Sequence, residues 1–151
     1  MTAFRTTRRV RHAAQDMFDL VADVEAYPKF VPLCQGLRVI RRSATEDGKQ
    51  VLVAEMQVGY KAIRESFTSR VTLDRANLEI FVEYVDGPFK RMENRWNFVP
   101  AGEDACTVEF AISYEFKSRA FAMLVGGIFD AAFRKFAEAF ETRANVVYGA
   151  A

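Results

Sequence analysis

Two polar residues stand on predicted strand faces that are otherwise apolar, and their side chains are the best candidates for chemistry in this sequence. Glu65 is in alternating register with Phe67, and Asn94 is in register with Trp96. A buried carboxylate must be paired, hydrogen-bonded or protonated, so it can act as an acid, a base or a hydrogen-bonding group. The pattern indicates either polar groups that bind the head of an apolar ligand or an internal polar network.

Both interpretations have partners in the sequence. In the ligand-binding interpretation, three tyrosine hydroxyls would assist Glu65 and Asn94: Tyr60, Tyr84 and Tyr114. In the structural interpretation, a bulge turns Glu65 outward or an arginine pairs with it: Arg64, Arg91 or Arg95. Ligand pockets are mostly hydrophobic with a few convergent polar groups, and the sequence leaves both interpretations open.

Recognisable catalytic motifs are missing from the sequence. The single histidine, His12, has no acid–nucleophile pattern around it, and no GxSxG, P-loop, GxGxxG or metal-spaced cluster is present. Cys34 and Cys106 are far apart and neither belongs to a CxxC motif, which predicts reduced thiols and no zinc site. The sequence therefore predicts a non-enzymatic binding protein that requires no cofactor and no metal.

Charge and length set further limits. The 151 residues predict a single domain, residues 1–151, and a net charge of +1 gives no electrostatic case for a DNA partner. No apolar run approaches the ~20 residues of a membrane span, and the N-terminus lacks the pattern of a secretory signal. The expected location is cytoplasmic, with peripheral contact to the inner membrane left open.

The C-terminal third predicts one long helix over residues 118–148, about 30 residues, with Ser118 as its N-cap. Its apolar residues spread over roughly 200° of the circumference, more than the stripe of a little over 100° that simple docking requires. The helix is therefore expected to be wrapped by other elements or to line a space. Gly126 and Gly127 predict a kink or the close approach of another group in mid-helix.

The remaining chain predicts strands and two short helices. Helical spacing over residues 12–24 and a proline-interrupted apolar segment after it predict the short helices between the first two strands. Alternation predicts seven strands, over residues 3–11, 37–43, 50–60, 62–73, 78–84, 91–99 and 105–117. Consecutive hairpin-linked strands give an antiparallel sheet. The prediction is an α+β fold in which a curved sheet wraps the long C-terminal helix.

Several motifs resemble a known family. They are Val21-Ala-Asp-Val-Glu-Ala-Tyr-Pro-Lys-Phe-Val-Pro, Val58-Gly-Tyr-Lys, Arg64-Glu-Ser-Phe, Val85-Asp-Gly-Pro-Phe, Asn94-Arg-Trp-Asn-Phe and Glu115-Phe-Lys-Ser-Arg. In order and spacing they are similar to the coenzyme Q-binding START-domain family, a branch of the polyketide cyclase/lipid-transport superfamily. The resemblance implies a helix-grip (START/Bet v1-like) fold with a deep apolar cavity between sheet and helix.

The resemblance also implies a function. The expected ligand is ubiquinone or a similar isoprenoid lipid, and the expected role is that of a carrier or chaperone that supports respiratory electron transport. Members of this family differ in role. One alternative is a ribosome-association toxin-like factor that binds a ribosomal subunit and blocks subunit joining, with basic residues at Arg5–Arg11 and at Arg38, Arg41 and Arg42. The other is a polyketide cyclase or dehydratase, for which Glu65 is the only strong acid–base candidate.

The candidate cavity residues combine aromatic, aliphatic and polar side chains: Tyr27, Phe30, Met56, Glu65, Phe67, Phe89, Asn94, Trp96, Leu124, Val125, Ile128, Phe129 and Phe133. Among them, Phe30 and Phe89 are expected at the cavity mouth, because an aromatic residue on a loop has less core to fill. Met123 and Leu124 are expected on the rim, where exposed apolar groups would help to lift a lipid from a membrane surface.

Overall fold

A computed structural model describes residues 2–149. The strands are β1 (Thr2–Val10), β2 (Cys34–Ala44), β3 (Gln50–Tyr60), β4 (Ile63–Asp74), β5 (Glu79–Asp86), β6 (Phe89–Pro100) and β7 (Cys106–Phe116). The helices are α1 (Ala14–Ala22), a 3-10 helix (Val24–Lys29), α2 (Arg119–Arg134) and α3 (Phe136–Tyr148). The predicted α+β fold with seven strands and two short helices is confirmed.

All seven strands form one antiparallel sheet in the order β1-β7-β6-β5-β4-β3-β2. Strands β2 through β7 follow one another as a hairpin-connected meander. Strand β1 pairs with β7 and forms the edge of the sheet opposite β2. Register shifts interrupt the ladders within β2–β3, β4–β5 and β6–β7, and such bulges bend and twist a sheet. The bends help to make the sheet concave toward the C-terminal helices.

The C-terminal segment is two helices rather than the single helix expected from the sequence. Ser118 caps α2 by accepting a hydrogen bond from the Phe121 amide at 3.1 Å. The break falls at Lys135, whose amide donates to the Ala132 carbonyl at 3.1 Å, a tighter i to i−3 bond. The break lets Phe133 and Phe136 pack edge to face with ring centroids 5.3 Å apart.

The close approach of another group, one of the two expectations at the two glycines, is not found among the described residues. Helix α2 runs unbroken through Gly126 and Gly127, and a Cβ at either position would meet no atom within 4 Å. A close approach occurs instead at Gly87, in the β5–β6 turn. Its φ is +142°, and a Cβ there would lie 2.6 Å from the Cβ of Phe67. That turn therefore requires glycine.

The core fills the space between the concave sheet face and the helices. Phe89, expected at the cavity mouth, is instead fully buried and stacks on Phe116 with ring centroids 5.0 Å apart. It also packs edge to face against Phe67 at 5.6 Å and Phe129 at 6.1 Å. Because it directly follows the tight β5–β6 turn, Phe89 enters the sheet as the first residue of β6 and its ring points inward.

Two polar contacts tie α3 to the N-terminal part of the chain. His12 follows β1, and its Nε2 lies 2.7 Å from the Asn145 side-chain oxygen on α3. Tyr148 donates its hydroxyl to the Asp16 carbonyl at 3.0 Å. These contacts fix the end of α3 against α1 and give His12 a structural partner.

Candidate ligand-binding cavity

An apolar cavity of about 80 Å³ lies between the sheet and the C-terminal helices. The 3-10 helix and the loop after it contribute Val24, Tyr27, Pro32 and Leu33. The sheet contributes Leu37, Ala54, Met56, Val58, Phe67, Ser69, Val71, Val82, Met92, Asn94, Trp96 and Ile112. The helices contribute Phe129, Ala132, Phe133, Phe136 and Phe140.

The break in the C-terminal helix shapes one wall of the cavity. Phe133 precedes the break at Lys135 and Phe136 follows it, and both rings line the space. Phe140 lies one turn further on, and its ring packs edge to face on Trp96 at 5.0 Å. Together with Phe129, the two helix segments thus bring four aromatic rings to a cavity that the curved sheet closes from the other side.

Two buried polar side chains line this otherwise apolar cavity. Ser69 on β4 is 6% exposed, and within residues 2–149 its hydroxyl oxygen has no hydrogen-bond partner. A buried hydroxyl without a partner costs about 1–3 kcal/mol. Ser69 stands at a register shift between β4 and β5, and bulges commonly re-aim side chains next to functional sites. Asn94 on β6 is the second polar group, 9% exposed.

Asn94 is held in place by two hydrogen bonds. Its amide nitrogen donates to the Ala111 carbonyl at 2.9 Å, and its oxygen accepts from the Trp96 indole at 2.9 Å. An asparagine side chain has two donor hydrogens and two acceptor lone pairs, so one of each remains. Among the cavity-lining side chains, the Ser69 hydroxyl and the second amide hydrogen of Asn94 are therefore hydrogen-bond donors without a partner in residues 2–149.

Tyr27 contributes its ring to the cavity but not its hydroxyl. The hydroxyl donates to the Val21 carbonyl, which closes the end of α1 onto the 3-10 helix. Burial, with Asp23 nearby, raises the pKa of Tyr27 above its usual range. The group stays a neutral donor that the backbone already occupies. Its ring packs against Phe140 at 5.2 Å.

A second, smaller pocket of about 10 Å³, here called the groove, lies beside the cavity. It lies between the β3–β4 turn and α2, and Glu65, Val125 and Ile128 are among its lining residues. The cavity and the groove share three wall residues: Leu33, Val58 and Phe129. Leu33 has a left-handed backbone, with φ of +67°, and its carbonyl accepts from the Gly59 amide at 3.0 Å.

The structure distributes the sequence-predicted residues over three places. The cavity is lined by Tyr27, Met56, Phe67, Asn94, Trp96, Phe129 and Phe133. The groove, not the cavity, is lined by Glu65, Val125 and Ile128, together with Tyr60. Neither space is lined by Phe30, Phe89 or Leu124.

These three exceptions have physical reasons. Phe30 lies behind the cavity wall, where its ring packs edge to face on Phe140 at 5.0 Å. Phe89 is fully buried in the aromatic core, as described above. Leu124 is 67% exposed, because it faces away from the sheet one residue before the buried Val125.

The tyrosine hydroxyls expected near the ligand head also lie elsewhere. Tyr84 accepts a hydrogen bond from the Phe89 amide at 3.2 Å, and Tyr114 packs against Phe133 with ring centroids 5.1 Å apart. Neither residue lines the cavity. Sequence reasoning missed Ser69 as a functional residue, although its position between Phe67 and Val71 on a buried strand face was a signal that could have found it.

Residues 2–149 contain no candidate metal cluster, disulfide or membrane-spanning helix. No group of three or more His, Cys, Asp or Glu side chains that could hold a metal lies in this part of the chain. Cys34 and Cys106 are both buried and unbridged, as expected. No helix of the described residues is long and apolar enough to cross a membrane.

The curved sheet, the C-terminal helices and the apolar cavity between them define a START-like helix-grip protein. The family model for polyketide cyclase/dehydrase and lipid transport proteins matches residues 10–141. The chain belongs to this family. The START-domain resemblance seen in the sequence motifs is thereby confirmed.

Individual relatives show the same relationship. The ribosome association toxin RatA of Escherichia coli (strain K12) is 33% identical over 150 residues, which cover 99% of this chain and 91% of that protein. The mitochondrial coenzyme Q-binding protein COQ10 homolog B of Xenopus laevis is 32% identical over 139 residues, which cover 89% of this chain and 54% of that protein. The solution structure of the 18 kDa protein CC1736 from Caulobacter crescentus is 38% identical and superposes with a TM-score of 0.78, over 99% of this chain and 100% of that one.

Proposed function

We propose that this protein binds the head of a polyprenyl quinone such as ubiquinone in the apolar cavity and serves respiratory electron transport as a carrier or chaperone without chemical turnover. The observation that carries the proposal is the composition of the cavity, which is aromatic and aliphatic apart from Ser69 and Asn94. The name of one relative, a coenzyme Q-binding protein, supports the same ligand class.

The polar groups suit a quinone head. Its carbonyl and methoxy oxygens accept hydrogen bonds and donate none. The free hydroxyl of Ser69 and the remaining amide hydrogen of Asn94 are both donors. Apolar burial would supply most of the affinity, at ~25 cal/mol per Å² of apolar area removed from water, and the donors would supply orientation.

The size of the cavity limits how much of the ligand enters. A space of about 80 Å³ cannot hold a long isoprenoid tail, so most of the tail must leave through the groove lined by Val125 and Ile128. Glu65 also lines this groove and not the cavity. The proposal therefore assigns Glu65 no catalytic role, and a cyclase or dehydratase would lack its acid–base group in the cavity.

Two neighbouring alanines on α2 provide a direct test. Ala132 lines the cavity, whereas Ala131 is exposed on the opposite side of the helix. Ala132→Leu fills part of the space and should abolish quinone uptake from detergent micelles, while Ala131→Leu should take up quinone like the unmodified protein. Equal uptake by both variants, with both folded by circular dichroism, would place the ligand outside this cavity.

A second candidate function is binding to a ribosomal subunit. The relative named a ribosome association toxin matches 99% of this chain, which is the observation that favours it. Several of the basic residues that the sequence suggested for ribosome binding already form ion pairs within the protein. Arg8 pairs with Glu141 at 2.5 Å, Arg42 pairs with Glu25 at 2.6 Å, and β1 and β2 lie at opposite edges of the sheet.

Sedimentation with purified ribosomal subunits separates the two candidates. Arg5 and Arg9 on β1 are exposed and pair with no acidic residue within 2–149. If the chain acts on ribosomes through β1, Arg5→Glu with Arg9→Glu should release it from the subunits and leave quinone uptake unchanged. A protein that never sediments with subunits but extracts with a quinone supports the carrier proposal alone.

A further inference from the structure

Several separate chain segments meet at one end of the sheet, next to the groove. Because neighbouring strands alternate in direction, the start of β2, the β3–β4 turn, the β5–β6 turn and the end of β7 lie together. Hydrogen bonds join them in two pairs: Gly59 donates to Leu33 at the start of β2, and Lys117, after β7, donates to Pro88 in the β5–β6 turn, each at 3.0 Å. This end, here called the mouth, comprises residues 31–36, 59–65, 86–91 and 115–124. Phe89 lies within these ranges, but its side chain is buried beneath the surface of the mouth.

The mouth exposes large apolar side chains. Met123 is 88% exposed, more than any other large hydrophobic residue of the described chain, and its neighbour Leu124 is 67% exposed. Leu124 lies one helical turn before Ile128, which lines the groove, so Leu124 borders the groove on α2 and Met123 is exposed beside it. Tyr60, across the groove on β3, is also exposed. Water-exposed apolar groups clustered at a cavity entrance indicate a partner.

The same end carries an excess of positive charge. Its six basic residues are Lys61, Arg64, Lys90, Arg91, Lys117 and Arg119, and its three acidic residues are Glu65, Asp86 and Glu115. Lys90 and Arg91 share Glu115, at 3.7 and 4.0 Å. The other four basic side chains are exposed and form no ion pair with any residue from 2 to 149. The first turn of α2 contains no acidic residue.

We propose that the mouth docks on an anionic lipid bilayer, with Met123 and Leu124 inserted among the lipid chains. Lys61, Arg64, Lys117 and Arg119 then lie against lipid phosphates. Interfacial binding of this kind grows with the apolar area inserted and with attraction between basic residues and anionic lipids. The inference deepens the proposed carrier function, because it states where the ligand would leave the membrane.

In the docked orientation the groove would face the bilayer. It opens between the β3–β4 turn and α2, and shares Leu33, Val58 and Phe129 with the cavity. A quinone head that entered from the bilayer would pass this shared wall, while its tail stayed among the lipids. A nucleic acid partner would use the basic side chains but gain nothing from Met123 and Leu124, so the apolar pair favours a lipid surface.

Vesicle co-sedimentation tests the apolar part of the surface. The probe is quinone-free vesicles of equimolar phosphatidylcholine and phosphatidylglycerol. Met123→Ser with Leu124→Ser should weaken binding at least about tenfold, since each removes a large inserted side chain. The matched control is Val146→Ser with Val147→Ser, which removes another exposed apolar pair, 70% and 49% exposed, from α3 and should bind like the unmodified protein.

Charge variants test the basic part. Lys61→Glu with Arg119→Glu should abolish binding to the mixed vesicles, and Arg5→Glu with Arg9→Glu on β1 should leave it intact. Pure phosphatidylcholine vesicles should bind the unmodified protein more weakly than the mixed vesicles. The proposal is overturned if the unmodified protein does not co-sediment with the mixed vesicles, or if the mouth variants bind these vesicles as strongly as the unmodified protein does. Loss of ribosomal-subunit binding in variants that keep vesicle binding would also overturn it.

A second readout separates this inference from the proposed function. Quinone uptake from detergent micelles requires the cavity but no bilayer. The mouth variants should keep micellar uptake, and Ala132→Leu should lose uptake while still binding vesicles. Failure of vesicle binding with normal uptake refutes only the docking surface, and failure of uptake with normal vesicle binding refutes only the cavity.

Discussion

The indole nitrogen of Trp96 donates a hydrogen bond to the side-chain oxygen of Asn94, two residues earlier on β6, at 2.9 Å. The Asn94 amide in turn donates to the Ala111 carbonyl on β7. Two inward-facing residues of one strand are therefore locked together, and the adjacent strand fixes their orientation. The arrangement leaves Asn94 with hydrogen-bonding capacity toward the cavity while its own position is rigid.

Removing Asn94 should cost stability. Asn94→Ala would leave the buried Trp96 indole without its hydrogen-bond acceptor and remove one hydrogen bond to the Ala111 carbonyl, and a buried donor without a partner costs about 1–3 kcal/mol. We expect urea unfolding to show a loss of about 1–3 kcal/mol. Ser69→Ala is the control, because it deletes a hydroxyl that has no partner within residues 2–149, and it should leave stability unchanged or slightly raised.

Ser69→Ala should instead weaken quinone binding. One hydrogen bond contributes about 0.5–1.5 kcal/mol, which corresponds to a roughly twofold to twelvefold loss of affinity. Titration of the protein with a short-chain quinone, followed by tryptophan fluorescence of Trp96, measures the effect. Ser69→Thr retains the hydroxyl and should bind more tightly than Ser69→Ala. Unchanged affinity in the alanine variant would show that the Ser69 hydroxyl does not contact the ligand.

Periodicity predicted most of the fold. Alternation along β3, β4 and β7 placed the buried faces correctly, and the hairpin signals at Asp47-Gly48 and Asp86-Gly87 gave the meander. The helix break at Lys135 was not predictable in the same way. No proline or glycine stands there, and the contacts on either side of it, Phe133 with Tyr114 and Phe136 with Phe110, are tertiary contacts with β7 that local sequence does not reveal.

The candidate site was predicted only in part, for similar reasons. Large aromatic residues identify a buried face, but they do not reveal which of them surround empty space. Phe89 satisfied the pattern for a mouth residue, and the tight β5–β6 turn placed it in the core. Ser69 was overlooked because a serine is common on any strand, and only the three-dimensional structure shows that its hydroxyl has no partner among the described residues.

The glycines offer a pair of opposite stability predictions. Gly127→Ala should stabilise the protein by about 1 kcal/mol, because glycine in a helix interior is unfavourable by that amount and the added Cβ meets open space. Gly87→Ala should destabilise it, since its φ is +142° and its Cβ would collide with Phe67. Thermal unfolding of both variants measures the difference. A destabilised Gly127→Ala variant would contradict the unbroken course of α2.

The buried cysteines predict a loss of stability at alkaline pH. Burial raises the pKa of the Cys34 and Cys106 thiols from 9.0 to about 11. The unfolded chain therefore releases these protons first, so their contribution is complete below pH 9 and is lost as the pH rises toward 11. Urea unfolding across this window should show a decline that is shallower in Cys34→Ala with Cys106→Ala. An identical decline in that variant would assign the effect to other groups.

The central claim is that the cavity holds an isoprenoid quinone, and mass spectrometry of an organic extract from the purified protein tests it most directly. The extract should contain a polyprenyl quinone in near-stoichiometric amount, and the extract of Ala132→Leu should contain little. An extract of the unmodified protein without any quinone, combined with no uptake when quinone is offered in micelles, would contradict the claim.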